Sequence, residues 1–261
     1  GCALIAGQGD AMQRDGWYST ALSHQELEDP VAIGRKAAER TVARLQPRSL
    51  ATGEYPVLFS AEVARSLVGH LLGAVSGGAL YRKASFLLDH VGQRIFPDWF
   101  AIEELPLLPH GLRSAAFDAE GVATKRSHLI RDGVLERYVL GSYSARKLGL
   151  QTTGNAGGVH NLQVKANAGG FDDLLAGMRT GLLVTELMGQ GVNGVTGDYS
   201  RGAAGFWVEQ GVIAYPVDGI TIAGNLKTIF AGIEAVGRDV DRRSHVGVGS
   251  VLVGRMTVAG E

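Results

Sequence analysis

The polar side chains that could do chemistry are concentrated in one glycine-rich stretch, from Thr185 to Glu209. Within sixteen positions the stretch carries hydroxyl, amide, carboxylate and guanidinium groups, on Glu186, Gln190, Asn193, Thr196, Asp198, Tyr199, Ser200 and Arg201. Glycine lets a backbone approach a ligand closely, so such a loop can lie against a peptide or a neighbouring chain. An ordered loop whose polar groups cap its own backbone explains the same residue types equally well.

This stretch resembles two known motifs, a dinucleotide-binding loop and a nucleophile elbow, but lacks an essential feature of each. Residues 189–194 spell G-x-G-x-x-G, but a dinucleotide site needs a helix to begin there, and residues 195–202 cannot form one. Asp198-Tyr-Ser-Arg-Gly differs from the nucleophile elbow of serine hydrolases at its first glycine. Nothing in the sequence ties a histidine and an acid to Ser200, so a turn hydroxyl is the better interpretation of that residue.

The seven histidines do not follow a metal-binding pattern. No two of them lie four residues apart, the spacing that would place two imidazoles on one helical face to hold zinc. His70 falls in a predicted apolar helix, where we expect a satisfied, partly buried side chain. The pair Glu103-Glu104 is expected at the surface.

Local signals predict the helices around the stretch. The predicted helices begin at Pro30, with Asp29 as N-cap, and at Ala61, Ser142, Phe171 and Leu226. They are expected to end at Leu45, Leu72, Leu148, Arg179 and Val236. Gly149 is predicted to cap the C-terminus of the helix that ends at Leu148.

Strands are predicted between the helices. Apolar runs on both sides of the stretch predict a strand, a glycine-rich crossover and a second strand. Others are predicted at 2–5, 16–22, 56–60 and 246–258, with hairpins around Asp132-Gly133 and Gln210-Gly211. Residues 102–109 are broken by prolines, so we expect a sheet edge or a loop there. Together the elements predict an α+β fold, with a largely antiparallel sheet and flanking helices.

Composition narrows the possible classes of protein. The 261 residues carry 25 basic and 26 acidic side chains, a balance that does not favour binding to nucleic acid or to an anionic membrane. Cys2 is the one cysteine, so no internal disulfide can form and a cytoplasmic location is expected. No apolar run approaches the roughly 20 residues that a membrane-spanning helix needs.

Several long blocks resemble one protein family. TELMGQGVN, TGDYSRGAAGFWVE, ITIAGNL, SGGALYRKASFLLD and TGNAGGVHN are similar to the PmbA (TldE) branch of the TldD/PmbA family, once called modulators of DNA gyrase. The resemblance runs from about Cys2 to the end of the chain. It implies a C-terminal PmbA/TldD domain over residues 51–261 and the end of the preceding region over residues 1–50. Because family members carry a further N-terminal domain, we expect this chain to be a C-terminal fragment.

The resemblance also implies an activity. It implies a subunit of a cytoplasmic TldD–TldE type metalloprotease that processes or degrades unfolded or leader peptides, with zinc in the TldD-like partner. In TldD, the helix that matches residues 61–66 carries a His-Glu-x-x-x-His motif, whereas this chain has Ala61 and Ser66 at the histidine positions. The cysteine ligand that TldD draws from near its C-terminus is also missing from residues 244–253. The resemblance therefore implies that this chain contains no catalytic residue and binds no metal.

The expected role of the glycine-rich stretch follows from these implications. Five side chains are predicted to line the peptide channel and the partner interface: Asn193, Asp198, Tyr199, Ser200 and Arg201. Arg201 could clamp a carboxylate or pair internally with Asp198, and the sequence leaves both open. Self-association is expected when the partner is absent. The alternative functions are a non-catalytic modulator of DNA gyrase and an independent hydrolase that uses Ser200.

Overall fold

The computed structural model describes residues 1–260. The chain begins with an antiparallel hairpin of β1 (Cys2–Ala6) and β2 (Gln13–Trp17), followed by α1 (Pro30–Ala43). The Asp29 carboxylate accepts a hydrogen bond from the Ala32 amide at 2.9 Å, which confirms the predicted N-cap. The second strand ends at Trp17, five residues earlier than predicted, and a 3₁₀ turn follows at His24–Glu26.

The other elements follow in chain order. They are β3 (Gly53–Phe59), α2 (Ala61–Ala74), α3 (Gly77–Tyr81), β4 (Ile102–Glu104), β5 (Ser127–Arg131), β6 (Val134–Leu135), α4 (Ser142–Leu148), β7 (Leu162–Val164), α5 (Phe171–Met178), β8 (Gly181–Met188), β9 (Asp198–Glu209), β10 (Val212–Asn225), α6 (Leu226–Ala231), β11 (Ile233–Val236), β12 (Val246–Gly247) and β13 (Val251–Ala259).

The strands after the first hairpin form two sheets. The six-stranded sheet has the order β10-β9-β8-β3-β13-β11 and is antiparallel except between β3 and β8. Because β10 also pairs with β13, five of these strands form a closed hydrogen-bonded circuit. The five-stranded sheet has the order β12-β7-β4-β5-β6. The prediction of an α+β fold with a largely antiparallel sheet and flanking helices is confirmed.

Both faces of the six-stranded sheet are covered. Alternate residues of a strand point to opposite faces, so Val57 and Phe59 join the main core with α2, whereas Leu58 packs in a smaller cluster with α5. The main core also includes residues of the five-stranded sheet. The apolar side of α2 is buried in this core, and its polar side faces the surface.

The local turn and cap predictions are confirmed. Asp132 and Gly133 both have positive φ, 48° and 77°, as a two-residue type I′ hairpin requires. Gln210 and Gly211 repeat this geometry between β9 and β10. Gly149 ends α4 in the left-handed conformation at φ 67°.

Two predictions are wrong where long-range pairing determines the structure. The last helix ends at Ala231, and Ile233 and Val236 lie instead in β11, opposite Val253 and Val251 of β13. β4 lies in the middle of the five-stranded sheet, not at an edge, because the prolines at 106 and 109 follow the strand and remove none of its hydrogen bonds.

Within residues 1–260, no helix combines the length and the apolar character that a membrane span requires.

Candidate functional site

A groove of about 680 Å³ is lined by the first three residues of the glycine-rich stretch, Thr185 to Leu187, and by Arg201. We call it the α2 groove. Its floor is the polar side of α2, with Glu62, Arg65 and Ser66. Its walls are the β1–β2 hairpin, α1, the end of β8, Arg201 of β9 and Arg243 of the loop before β12.

The polar side of α2 follows directly from helix periodicity. Val63, Leu67 and Leu71 face the core, whereas Glu62, Ser66 and His70 repeat every four residues on another side of the helix. A neighbouring depression of about 220 Å³ continues along this side and is lined by His70 and Gly73. Arg201 lines both depressions, so the groove extends along α2 toward its C-terminal end.

A third depression, of about 570 Å³, lies at the N-terminal end of α2 and shares Arg40, Glu62 and Arg243 with the α2 groove. The 14 residues of α2 span about 21 Å at roughly 1.5 Å per residue. An extended peptide rises about 3.3 Å per residue, so a trough of this length matches about six peptide residues.

Glu62 is held between two arginines. Arg40 Nη2 of α1 donates to Glu62 Oε1 at 2.6 Å, and Arg243 Nη2 donates to Glu62 Oε2 at 2.9 Å. The Arg243 guanidinium also lies 3.7 Å above the Trp17 ring centroid, in cation–π geometry. Both carboxylate oxygens of Glu62 are therefore engaged by cationic groups of the protein itself.

The other two carboxylates of the groove are shared in the same way. Asp15 accepts from Arg40 at 3.2 Å and lies 3.7 Å from Arg44. Glu186 pairs with Arg44 at 2.5 Å and with Arg14 at 3.3 Å. Six arginines line the groove against three acidic residues, so each acidic residue serves two arginines and positive charge remains in excess.

The excess charge lies on Arg65 and Arg201. Arg65 has only a 3.7 Å contact with Asp241, and Asp241 is already hydrogen-bonded by Arg243 at 2.8 Å. Burial opposes ionisation of Asp241, but the hydrogen bonds from Arg243 outweigh it and hold the pKa of the carboxyl below its usual value. Arg201 has no carboxylate within 4 Å in the part of the chain that the structure describes, and its Nε donates to the Met188 carbonyl at 3.4 Å.

The structure separates the five residues predicted to line the site. Arg201 lines the α2 groove. Asn193 folds the glycine-rich loop, since its Oδ1 accepts from the Val195 amide at 2.9 Å. Ser200 is exposed on β9, and its amide donates to the Gly191 carbonyl at 2.7 Å. Tyr199 is only 1% exposed and belongs to the main core.

Asp198 does not form the internal pair with Arg201 that was one of the two sequence interpretations. Its carboxylate accepts from Thr196 Oγ1 at 2.6 Å and from Asn225 Nδ2 at 3.1 Å, and these hydrogen bonds lower its pKa. The structure has no Asp198–Arg201 contact within 4 Å among residues 1–260. The internal pair is therefore absent from this structure, and the other interpretation, a carboxylate of a ligand, stays a prediction.

His70 is not the satisfied side chain that the sequence predicts. Its ring packs edge to face on Tyr199, with 5.7 Å between the ring centroids. Within the described residues, neither His70 Nε2 nor the Tyr199 hydroxyl has a hydrogen-bond partner. Burial, assisted by the nearby positive charge of Arg201, lowers the pKa of His70. Burial raises the pKa of Tyr199 to about 12.

The position on α2 where the resemblance implies metal ligands in TldD does not fit zinc in this chain. Ala61 and Ser66 provide no imidazole, and Glu62 lies between two guanidinium groups, whose charge opposes a cation. Across residues 1–260, no three His, Cys, Asp or Glu side chains are placed together to hold a metal ion. The Ser200 side chain likewise has no hydrogen bond to a histidine in the described part of the chain.

Glu104 is buried, which corrects the expectation of a surface pair at residues 103 and 104. Only 2% of Glu104 is exposed, and its carboxylate accepts hydrogen bonds from Arg137, from Asn155 Nδ2 at 2.9 Å and from the His160 amide at 2.6 Å. Because its partners are 33 to 56 residues away, no local pattern could reveal this network. It joins β4 to the loops after β6 and before β7.

Comparison with known proteins identifies the family. The PmbA/TldA metallopeptidase central domain matches residues 1–45, and the PmbA/TldA metallopeptidase C-terminal domain matches residues 52–260. Metalloprotease PmbA of Escherichia coli O157:H7 is 52% identical over 260 residues, which cover 100% of this chain and 58% of that protein. The chain thus belongs to the PmbA/TldD metallopeptidase family and spans 58% of the length of this relative.

More distant relatives and solved structures agree with this assignment. A zinc metalloprotease TldD homolog of Saccharolobus solfataricus is 26% identical over 219 residues, covering 77% of this chain and 48% of that protein. The crystal structure of a candidate DNA gyrase modulator from Bacteroides thetaiotaomicron superposes with a TM-score of 0.94 at 30% identity, covering 99% of this chain and 59% of the other. TldE from Thermococcus kodakarensis shares the fold, with a TM-score of 0.83 at 22% identity over 98% of this chain and 61% of that one.

Proposed function

We propose that this chain acts as the metal-free subunit of a TldD–TldE type peptidase, and that the α2 groove forms part of the channel for an extended peptide. A TldD-like partner supplies the zinc and the general base. The observation that carries the proposal is the position of Glu62. The resemblance aligns it with the glutamate of the TldD metal-binding helix, yet Arg40 and Arg243 engage both of its carboxylate oxygens.

The names of the relatives support the reaction class. They include metalloprotease and zinc metalloprotease, and the fold matches that of a TldE. The groove supports the substrate class, since its length matches an extended segment of about six residues. Such segments are commonly held by hydrogen bonds to a strand edge, with side chains of the groove determining specificity. Asn193, Asp198, Tyr199 and Ser200 remain predicted to shape the channel or the partner interface.

The proposal is tested with the protein alone and mixed with a TldD-like partner. We expect the protein alone to bind no zinc and to cleave no unstructured peptide. The mixture should cleave it, and a chelator should abolish the cleavage. Stoichiometric zinc in the isolated protein, or chelator-sensitive cleavage by it, would contradict the proposal.

A Ser200→Ala variant separates the hydrolase alternative. Chelator-resistant cleavage that disappears in this variant would establish a serine hydrolase. The same samples, run on a sizing column, report whether the isolated protein forms the homodimer that we propose for it. A cytoplasmic location remains part of the proposal and depends on the single cysteine.

Modulation of DNA gyrase has weaker support. It rests on the description of a structural relative as a candidate modulator of DNA gyrase. Arg201, which has no carboxylate partner in the described residues, and Arg65, which has only a 3.7 Å contact with Asp241, lie inside a concave groove. Duplex DNA is contacted instead by positive charge spread over an accessible surface.

A further inference from the structure

We infer that the α2 groove selects its peptide by a carboxylate group, which Arg65 and Arg201 bind. This inference rests on the proposed peptide channel and specifies the chemistry of its substrate. The carboxylate belongs either to the C-terminus of the peptide or to an aspartate or glutamate side chain.

The charge of the groove is the first argument. The whole chain has a formal net charge of -1, yet six arginines and three acidic residues line this one depression. Asp15, Glu62 and Glu186 are each shared by two arginines, and these ion pairs engage Arg14, Arg40, Arg44 and Arg243. These ion pairs engage four of the groove arginines, whereas Arg65 has only the 3.7 Å contact with Asp241, which it shares with Arg243, and Arg201 has no carboxylate partner within residues 1–260.

The placement of the two arginines is the second argument. Arg65 lies one turn after Glu62 on the floor of the groove, and Arg201 lies on β9 in its wall. The side chain of Arg65 is 36% exposed, and its guanidinium lies 3.5 Å from the Tyr18 hydroxyl. Both guanidinium groups thus retain unused donors within the same depression. A guanidinium presents parallel N–H groups that match the two oxygens of a carboxylate.

Two buried hydroxyl groups beside the groove have no hydrogen-bond partner in the described residues. Ser66 Oγ and Thr185 Oγ1 belong to residues that line the groove, and neither has a hydrogen-bond partner within residues 1–260. Buried polar atoms without partners are uncommon, because each loses its hydrogen bonds to water. Both oxygen atoms are closed to solvent in this structure, so they are unsatisfied groups beside the groove and not contacts for a ligand.

The test uses four dye-labelled decapeptides of alanine and serine and measures their binding by fluorescence anisotropy. One has a free C-terminus, one is amidated, and two are amidated with a central glutamate or a central glutamine. The protein should bind at least one carboxylate peptide roughly tenfold more tightly than its neutral counterpart, as expected for a hydrogen bond between charged groups. Whichever pair differs identifies the source of the carboxylate.

Arg201→Ala and Arg65→Ala should each remove most of this preference, and Arg201→Lys should restore part of it. Arg255→Ala is the matched control, because Arg255 is a 77% exposed arginine outside the groove that pairs with Glu54. Its preference should equal that of the unmodified protein. Thermal unfolding of every variant checks that the fold is retained.

Three outcomes would overturn the inference, and they are distinguishable. Equal binding of all four peptides would remove carboxylate selection while leaving the peptide channel intact. Binding of none of them would remove the channel itself, and with it the proposed function. Competition by millimolar inorganic phosphate, or by a single-stranded oligonucleotide, as strong as that by free carboxylate peptide would show a general anion site instead.

Discussion

The arginine at position 201 acts on more than the groove. Its positive charge reaches the ring of His70, whose pKa is lowered first by burial and then by this charge. As the pH falls, a histidine whose pKa is lowered in the folded state is protonated in the unfolded chain before it is protonated in the folded protein. Stability is therefore lost as the pH falls from the usual value of 6.5 through the folded-state pKa, and is unaffected well above 6.5.

We predict that Arg201→Ala raises the pKa of His70 toward 6.5 and weakens the loss of stability below that pH. The pKa is measured by NMR titration of the imidazole, and the stability by urea unfolding at pH 7.5 and pH 5.5. His245 provides an internal control, because its pKa is lowered by burial and by Arg113. An unchanged His70 titration, or an equal change at His245, would show that Arg201 does not act on this ring.

The hydroxyl group of Tyr199 is not expected to stabilise the folded protein. It is buried and has no partner in residues 1–260, so it should add nothing to stability. We expect Tyr199→Phe to change the free energy of unfolding by less than about 0.5 kcal/mol or to increase it. Tyr138→Phe should cost about 1–2 kcal/mol, because that hydroxyl donates to the Leu87 carbonyl and accepts from the His90 amide, both at 3.1 Å.

Urea unfolding of the two variants makes this comparison direct. An equal loss in both would mean that Tyr199 has a partner in solution. Loss of peptide binding in Tyr199→Phe with stability unchanged would instead favour the predicted role of this residue in the channel.

At the scale of the element, the loop between β8 and β9 depends on a close backbone approach. A Cβ atom on Gly191 would lie 1.9 Å from the carbonyl oxygen of Ser200, the residue that precedes Arg201 in β9. We predict that Gly191→Ala displaces this loop, lowers the free energy of unfolding by about 1–3 kcal/mol and weakens peptide binding. The control is Gly177→Ala in α5, where a Cβ meets nothing within 4 Å and should add about 0.5–1 kcal/mol. A stable Gly191→Ala protein with normal binding would contradict this account of the loop.

The sequence could predict the elements that depend on local residues, but not those that depend on distant strand pairing. Asp29, Asp132-Gly133 and Gly149 act on their immediate neighbours, so the cap, hairpin and helix end that they predict are confirmed. The strand β11 and the central position of β4 depend on ladder partners elsewhere in the chain, and their predictions are wrong.

The groove also contains residues that the sequence could predict and residues that it could not. Arg201 could be predicted, because it belongs to a distinctive local stretch. Arg40 and Arg243 could not, because they reach Glu62 from 22 residues before it and 181 residues after it. Spacing in the sequence carries no signal for an ion-pair network that several elements assemble only in the folded chain.

At the scale of the whole molecule, the groove arginines join the two matched regions of the family. Arg14, Arg40 and Arg44 come from residues 1–45, whereas Glu62, Glu186 and Arg243 come from residues 52–260. Trp17 lies between Lys36 Nζ at 3.5 Å and the Arg243 guanidinium at 3.7 Å. The network that lines the groove therefore also holds the β1–β2 hairpin and α1 against the rest of the chain.

We predict that Glu62→Gln weakens this attachment, because it leaves Arg40 and Arg243 near each other without the carboxylate that they share. Removing one partner from a largely buried ion pair costs about 3–5 kcal/mol, and we expect a loss of about 2–4 kcal/mol here, since the Glu62 side chain is partly exposed. Hydrogen exchange should show the loss first in residues 1–45. Glu54→Gln is the matched control, because its pair with Arg255 is exposed and should contribute at most about 1 kcal/mol. Equal losses in the two variants, or unchanged exchange in α1, would mean that apolar contacts alone hold the two regions together.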